Sequence, residues 1–429
     1  MSQKKLTQLL YRLPGIQRFI MRLADDLGER RNLLVLHPDW VDSEELLSYL
    51  REELWRRDFV MYEALLPEMP EDCSPAIALG GRLGVRWPAS LSRTPANLVE
   101  LCTATDIIQL VGLNTLPTAR RRAWVEFLLQ WSQNFQKIID RGGRPTVICL
   151  ICPAWAVDMV PAESLYLSVR KWWGIPSALE MQLLCRMAEE DGTGSSFASG
   201  WRESVISSIA GSDIQLAEWL WDDVFDGLDN LMQRLLNYAL EKREWSNELL
   251  FSLEEYPRFG NWLENSTAAT DDLCLQNPKL WGRGILTWTW EYGLEVNSSA
   301  LALFGRREEI QHRLWRAQAS LLLPQLDNLR LCICKRLTQI CGPEWPIRFP
   351  LFDSEKEMAA AKENPYSCQW GYLEAVVANS VSLKTERTYL PLIQLARSIR
   401  NRLAHYRIIG YSNYLQLCRE IQKHSEILF

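Results

Sequence analysis

The sequence contains no long apolar run. A helix that spans a membrane needs roughly 20 predominantly apolar residues, and no run in these 429 residues reaches that length. The stretch KKLTQLLYRLPGIQRFIMRL near the start is basic and amphipathic, which is typical of targeting segments and of surface helices. Because it leads directly into a strand-like segment, we favour a surface helix, and we expect no membrane partner.

Histidine is scarce, with four residues in the whole chain. Because histidine is the usual general acid or base near neutral pH, catalysis of that kind is confined to four positions. His37, His312 and His424 stand apart from other reactive side chains, and we expect structural roles for them. His405 is the exception, since it lies among arginines.

No signal peptide precedes the eleven cysteines, an odd number scattered through apolar segments. This usage is typical of reduced, buried thiols in a cytoplasmic protein. Cys149 and Cys152 have the spacing of a redox or metal-binding pair, but no second pair follows at zinc spacing, and residues three apart in a strand point to opposite faces. We therefore expect structural thiols there, with no metal and no cofactor.

An excess of positive charge is also lacking, since the net charge is −6. A protein that coats nucleic acid is usually basic overall, so any nucleic-acid site here must be a local patch. The acidic segment at residues 218–229 matches no known metal loop. We interpret it as a solvated helix face or a dock for a basic partner.

Three short runs rich in Val, Ile and Leu are present, at residues 32–37, 106–113 and 145–153. They show little alternation, which is typical of parallel strands buried on both faces. Helical patterns lie between them, at 41–58, with Asp42 or Ser43 as the N-cap, and at 118–140. Strands that alternate with helices predict an α/β domain with a mostly parallel sheet.

The layout of residues 14–250 resembles that of P-loop NTPases of the AAA or signal-transduction ATPase type. Such proteins carry, after the first strand, a glycine-rich loop that ends in Lys-Ser/Thr and cradles phosphates. The corresponding loop here, HPDWVDSEE (37–45), has neither glycine nor lysine, and Asp39 and Asp42 would repel a phosphate. The resemblance therefore implies a degenerate, P-loop-like fold that acts as a scaffold or sensor and is not an active ATPase.

Beyond about residue 160 the sequence predicts mainly helices. Polar stretches at 189–200 and 264–278 interrupt them. Residues 285–296 fit either a short hairpin or the start of a helix. A loop is predicted at 353–365.

The C-terminal third has helical patterns near 306–341, 369–381, 386–406 and 411–427. Three units follow from these patterns: an α/β domain at 1–160, a helical middle or lid-like region at 161–280, and a helical bundle at 281–429. The predicted fold class is therefore α/β plus all-α.

The segment ARSIRNRLAHYR (396–407) concentrates reactive side chains more than any other. On a helical wheel of about 100° per residue, its apolar residues and those of the preceding turn form one stripe that must face the core: Leu392, Leu395, Ala396, Ile399 and Leu403. Arg397, Asn401 and His405 fall on the opposite face, and Arg400 lies on the flank. Asn401 and His405 are therefore predicted to be neighbours.

Arg400-Asn401-x-x-x-His405 resembles the Arg-x4–6-His motif of the HEPN superfamily, whose fold is a small helical bundle with the motif late in the chain. The resemblance covers about residues 300–429. It implies a metal-independent endoribonuclease built at a dimer interface, with Arg400, Asn401 and His405 as catalytic residues. The residue chemistry agrees, because histidine can move a proton of the RNA 2′-hydroxyl or leaving oxygen and arginine can hold the phosphate.

The surroundings of this motif are basic, in contrast to the whole chain. Six basic residues and one acid lie between Lys384 and Arg407, which would attract a phosphate backbone. The candidate nucleic-acid-binding residues are Lys384, Arg387, Arg397, Arg402, Tyr406 and Arg407. Tyr389, Tyr411 and Tyr414 are further candidates for stacking on unpaired bases.

Fusion of HEPN domains to ATPase-like modules is typical of bacterial conflict systems, so the resemblance implies an effector or toxin in antiphage defence that acts on RNA. A homodimer, or a subunit of a larger defence complex, is the expected assembly. The alternative is a non-catalytic scaffold or nucleic-acid-binding subunit of such a complex. A solvated helix face without function is the third interpretation.

Overall fold

The computed structural model describes residues 5–102, 105–190, 200–222, 225–245, 278–289, 291, 293–349 and 355–424. The predicted polar stretches at 189–200 and 264–278 lie almost entirely outside these ranges. Among the described residues, no helix has both the length and the apolar character needed to cross a bilayer.

The α/β unit is built on a five-stranded sheet. Its strands are β1 (Asn32–His37), β2 (Met61–Leu65), β3 (Ile107–Val111), β4 (Val147–Pro153) and β5 (Leu167–Lys171). They lie in the order β2-β3-β4-β1-β5, and every neighbouring pair is parallel. All residues of β1 and β4 are buried, so the centre of the sheet is covered on both faces, as the continuous apolar runs predicted.

The three predicted strands correspond to β1, β3 and β4, whereas β2 and β5 escaped prediction. Both missed strands lie at the edges of the sheet, where side chains meet solvent and the sequence carries charges, such as Glu63 in β2 and Arg170 in β5. Because β5 pairs with β1, the sheet extends past the boundary at residue 160 that the sequence suggested.

The described helices of the first part are α1 (Lys5–Leu10), α2 (Pro14–Gly28), α3 (Ser43–Trp55), α4 (Pro75–Arg82), α5 (Pro95–Leu101), α6 (Thr118–Gln133), α7 (Phe135–Asp140), α8 (Ala178–Glu190), α9 (Ser207–Ala210), α10 (Ile214–Leu220) and α11 (Leu228–Asn237). Asp42 is the N-cap of α3, as predicted. The helix predicted at 118–140 divides at Asn134 into α6 and α7.

The described helices of the second part are α12 (Pro278–Gly282), α13 (Ser298–Leu303), α14 (Arg307–Cys341), α15 (Trp345–Arg348), α16 (Glu355–Glu363), α17 (Trp370–Asn379), α18 (Leu390–Ala404) and α19 (Tyr411–Lys423). The strands β6 (Leu286–Thr289) and β7 (Gly293–Val296) pair in antiparallel fashion, which favours the hairpin over the helix for that segment. The prediction of a loop over 353–365 was wrong, because α16 occupies most of it. The run EKEMAAAKE consists of strong helix formers.

The fold class predicted from the sequence, α/β plus all-α, is confirmed: a parallel sheet is followed by a largely helical second part. The long helix α14 is the backbone of the second part. It carries a buried stripe that includes Leu314, Ala317 and Leu322, and it packs against α18. The position of α18 on α14 sets the geometry of the RNRLAH segment.

Candidate functional site

Helix α18 presents the RNRLAH segment on its solvent side. Its buried face consists of Leu392, Ile393, Ala396, Ile399 and Leu403, which agrees with the predicted stripe except that Leu395 is only half-buried and Ile393 joins the buried set. Arg400, Asn401 and His405 are exposed. Arg400 Nη1 lies 3.4 Å from Asn401 Oδ1, and among the described residues neither Arg400 nor His405 has an ion-pair partner. The motif is therefore open to a ligand.

His405 is the first residue beyond α18, and the turn that follows is fixed by the long helix. The His405 N–H donates to the Asn401 carbonyl at 3.2 Å, and Tyr406 adopts a left-handed conformation (φ 57°). Trp315 Nε1 on α14 donates to the Leu403 carbonyl at 2.7 Å. These contacts fix the backbone of the turn that carries His405 and Tyr406.

Gln318 of α14 fixes the far end of the same turn. Its Nε2 donates to the Ile409 carbonyl at 3.0 Å, and its Oε1 accepts from the Ile409 N–H at 2.9 Å. The side chain is fully buried, so both backbone groups would lack partners without it. Gln318 is not among the predicted site residues, although its polar side chain next to the apolar stripe of α14 is a signal that could have identified it.

An aromatic row continues the site onto α14. The Tyr406 ring, 64% exposed, lies 4.5 Å from the Trp315 ring, and the His312 ring lies 5.6 Å from Trp315. His312 is exposed and lines a cavity of about 340 Å³, whose charged residues are of both signs: Arg313, Arg316, Glu295, Glu308 and Glu309. We call the residues Arg400, Asn401, His405, Tyr406 and His312 the Arg–His surface. His312 was expected to stand apart, although Trp315 follows it by three residues on the same helix; only the contact of Trp315 with Tyr406 depends on tertiary packing.

Part of the predicted basic patch is engaged within the chain. Arg397 donates to Glu374 at 2.7 Å, and this hydrogen bond lowers the pKa of the Glu374 carboxyl. Arg402 donates to the Ile408 carbonyl at 2.9 Å, and Arg387 approaches the Ser380 carbonyl at 3.5 Å. These three arginines therefore have structural contacts in this chain.

Lys384 and Arg407 are exposed, and neither has an ion-pair partner among the residues that the structure describes. The tyrosines predicted to stack on bases differ more from the structure than the basic residues do. Tyr389 and Tyr414 are buried, the first against His424 and the second against Trp201, so they cannot stack on a nucleic-acid base. Tyr406 and Trp315 are better placed for stacking.

The acidic segment at 218–229 is used inside the chain. Glu218 accepts from the backbone N–H and the hydroxyl of Thr7, both at 2.7 Å, and Asp226 accepts from the Ser412 N–H at 2.9 Å. Asp229 pairs with Arg307. These contacts cap α1 and α19, which leaves fewer carboxylates for a basic partner than the sequence suggested.

The loop between β1 and α3 occupies the position where a P-loop protein binds phosphate. Asp42 Oδ1 accepts from the N–H groups of Glu44 and Glu45, at 2.9 and 3.2 Å. The positive end of α3, which would attract a phosphate, is thus satisfied by a carboxylate of the chain itself. His37 Nε2 lies 2.7 Å from Ser43 Oγ, which ties the loop to the same helix turn.

Cys149 and Cys152 lie in β4 and are buried, and burial raises the pKa of each thiol to about 12. Such thiols are poor nucleophiles and poor metal ligands, because both roles need the thiolate. Over the described ranges, no group of three or more His, Cys, Asp and Glu side chains is arranged to hold a metal ion.

No family model and no curated protein matches this chain. Among solved structures, similarity extends to a Cdc6p from Pyrobaculum aerophilum, with 12% identity, a TM-score of 0.32 and coverage of 90% of this chain and 95% of that one. Two mutants of RuvB from Thermotoga maritima show 14% and 12% identity, a TM-score of 0.28, and coverage of 71% of this chain and 93% of theirs. The chain's own strand order, β2-β3-β4-β1-β5, agrees with the predicted P-loop-like α/β unit.

Proposed function

We propose that the Arg–His surface binds RNA and cleaves it without a metal ion, as the HEPN resemblance implies. The observation that carries the proposal is the exposure of Arg400, Asn401 and His405 on one surface, with the arginine and the histidine unpaired among the described residues. Burial of Arg400 and His405 in ion pairs with carboxylates of the same chain would have indicated a structural role instead.

The proposed reaction uses the RNA 2′-oxygen as the nucleophile. His405 takes the proton of the 2′-hydroxyl as the new bond from the 2′-oxygen to phosphorus forms. The bond from phosphorus to the 5′-oxygen breaks, and that oxygen receives a proton from a second imidazole. The products are a 2′,3′-cyclic phosphate and a 5′-hydroxyl.

Arg400 stabilises the charge that develops on the phosphoryl oxygens, and Asn401 positions the phosphate or the imidazole. Tyr406, packed on Trp315, offers a face on which an unpaired base can stack. The second imidazole comes from His405 of a second copy of the chain, so the active form is a homodimer.

The biological setting is proposed from the same resemblance: an effector or toxin of a bacterial antiphage system, with the α/β unit as sensor or scaffold. The alternative is a non-catalytic, nucleic-acid-binding or scaffold subunit of a defence complex. One observation favours that alternative. Asp42 caps α3 at the position of the phosphate loop, so the α/β unit does not bind a nucleotide phosphate at that helix end.

The test is RNA cleavage in EDTA by the full chain, compared with Arg400→Ala, His405→Ala and a control, Arg22→Ala, on the exposed side of α2. We expect both site variants to lose at least about 100-fold in rate, as is usual for a removed general acid or base. The control should keep full activity.

An RNA with a single 2′-deoxynucleotide at the cleavage position should resist cleavage, because the nucleophile is absent. Cleavage that persists in both site variants would refute the proposal. Binding of RNA without cleavage, weakened by Arg400→Ala, would instead support the non-catalytic alternative.

A further inference from the structure

A second surface lies at the carboxyl edge of the sheet and shares no residue with the Arg–His surface. A cavity of about 450 Å³ lies there, lined by Thr118, Arg121, Arg122, Trp155, Asp158, Lys279 and Arg283. Thr118 begins α6 after β3, and Trp155 is the second residue after β4. Ligands of open parallel sheets bind beyond the carboxyl ends of the strands, and this volume is typical of a small-molecule site.

The lining of this cavity is strongly basic. Four of its residues are cationic and one, Asp158, is acidic and pairs with Arg122 at 2.7 Å. Asp39, at the end of β1, approaches Arg283 at 3.3 Å. Within the described part of the chain, Arg121 and Lys279 have no carboxylate partner, so two positive charges remain uncompensated.

Arg121 is held in place by uncharged groups. Its Nη1 donates to the Leu116 carbonyl at 3.1 Å and its Nη2 to Thr118 Oγ1 at 3.0 Å. These bonds orient the guanidinium without neutralising it. An oriented, uncompensated guanidinium is suited to binding an oxyanion.

Trp155 forms an aromatic wall between the cationic groups. The Arg121 and Arg283 guanidinium carbons lie 5.5 and 4.4 Å from its ring centroid, and its Nε1 donates to Asp39. The ring is therefore fixed and keeps both arginines near the cavity.

The segment that brings Lys279 and Arg283 to the cavity depends on a close backbone approach. The Asp39 N–H donates to the Gly282 carbonyl at 2.8 Å. A Cβ at Gly282 would lie 2.4 Å from the Trp155 nitrogen, so only glycine allows α12 to pack here. The sheet edge and α12 thus form one preorganised cationic site.

We propose that this cavity binds a small phosphate-bearing molecule with at least two negative charges, held by Arg121, Arg122 and Lys279 against Trp155. The site differs from a phosphate loop, since the N-terminus of α3 is capped by Asp42. A nucleic-acid backbone is the less favoured occupant, because a volume of about 450 Å³ matches a small-molecule site.

The test is calorimetric titration of the full chain with inorganic pyrophosphate. Arg121→Gln and Lys279→Gln remove charges that form no ion pair with a described residue, and Lys137→Gln, on the exposed side of α7, changes the net charge by the same amount elsewhere. We expect one binding event per chain, weakened about ten-fold by each site variant, as for loss of one charged hydrogen bond, and unchanged by Lys137→Gln.

Absence of pyrophosphate binding at millimolar concentration would overturn the proposal, and so would an equal loss in all three variants, which would indicate bulk charge only. Dependence on Arg121 and Lys279 for a single-stranded oligonucleotide but not for pyrophosphate would assign the cavity to nucleic acid and refute a small-molecule site.

Discussion

His37 illustrates how burial decides the role of a rare residue. The ring is 1% exposed, its Nδ1 lies 2.9 Å from the Pro38 carbonyl oxygen, and burial lowers its pKa from 6.5 to about 4. An imidazole that stays neutral at physiological pH is a structural hydrogen-bonding group, in line with the expectation from the sequence. His405, by contrast, is exposed beside an arginine.

The lowered pKa of His37 predicts an acid-dependent loss of stability. Since the unfolded chain binds the proton near pH 6.5 and the folded chain only near pH 4, the unfolded state gains protons first, and the free energy of unfolding falls as pH drops from 6.5 to 4. The fall attributable to His37 should reach about 3 kcal/mol. The measurement is denaturant unfolding against pH for wild type and His37→Gln; parallel curves over this interval would contradict the prediction.

At the level of elements, the turn after α18 is stabilised by α14 as well as by its own helix. Trp315 and Gln318 of α14 bond to the backbone of Leu403 and Ile409. Both α14 and α18 therefore determine where His405 and Tyr406 lie.

Gln318→Leu should loosen this turn while keeping the volume of the side chain. We expect the free energy of unfolding to fall by about 1–3 kcal/mol, because the Ile409 N–H and carbonyl lose their buried partner, and RNA cleavage to fall with it. Denaturant unfolding and amide exchange of Ile409 measure the effect. The control is Gln311→Leu on the same helix; an equal loss in both variants would show that the turn is not held by Gln318.

The sequence predicted elements with a strong local signal and missed those defined by their neighbours. Continuous apolar runs identified β1, β3 and β4, and a helical stripe placed Arg397, Asn401 and His405 on the face opposite the core and Arg400 on its flank. Other contacts join segments distant in sequence: the ion pair of Arg397 with Glu374, the packing of Tyr389 on His424 and of Tyr414 on Trp201, and the contact of Trp315 with Tyr406. No local period encodes such contacts.

At the scale of the whole molecule, Asp213 connects segments distant in sequence. Its carboxylate is fully buried and accepts from the Leu216 N–H, Tyr238 Oη and Asn297 Nδ2, each at 3.0 Å, with Arg243 Nη2 at 3.4 Å. Burial, followed by the charge of Asp213, raises the pKa of Tyr238. The middle helices and the segment after β7 thus share one polar centre.

Asp213→Ala should destabilise the whole chain by about 3–5 kcal/mol, because it leaves Arg243 buried without its partner. Asp229→Ala is the control, since Asp229 pairs with Arg307 on the surface and should cost less than about 1 kcal/mol. Chemical denaturation followed by circular dichroism compares the two. Similar losses in both variants would show that the buried network is not a stabilising centre.

The carboxylate of Asp42 at the N-terminus of α3 bears on how the stability of the α/β unit depends on nucleotides in the cell. A ligand shifts a folding equilibrium only by its preference for the folded state. At this helix end the bonds that a nucleotide would contribute are already supplied by a residue that is always present at unit stoichiometry. Through this position, the amount of folded protein should therefore be independent of the cell's nucleotide supply.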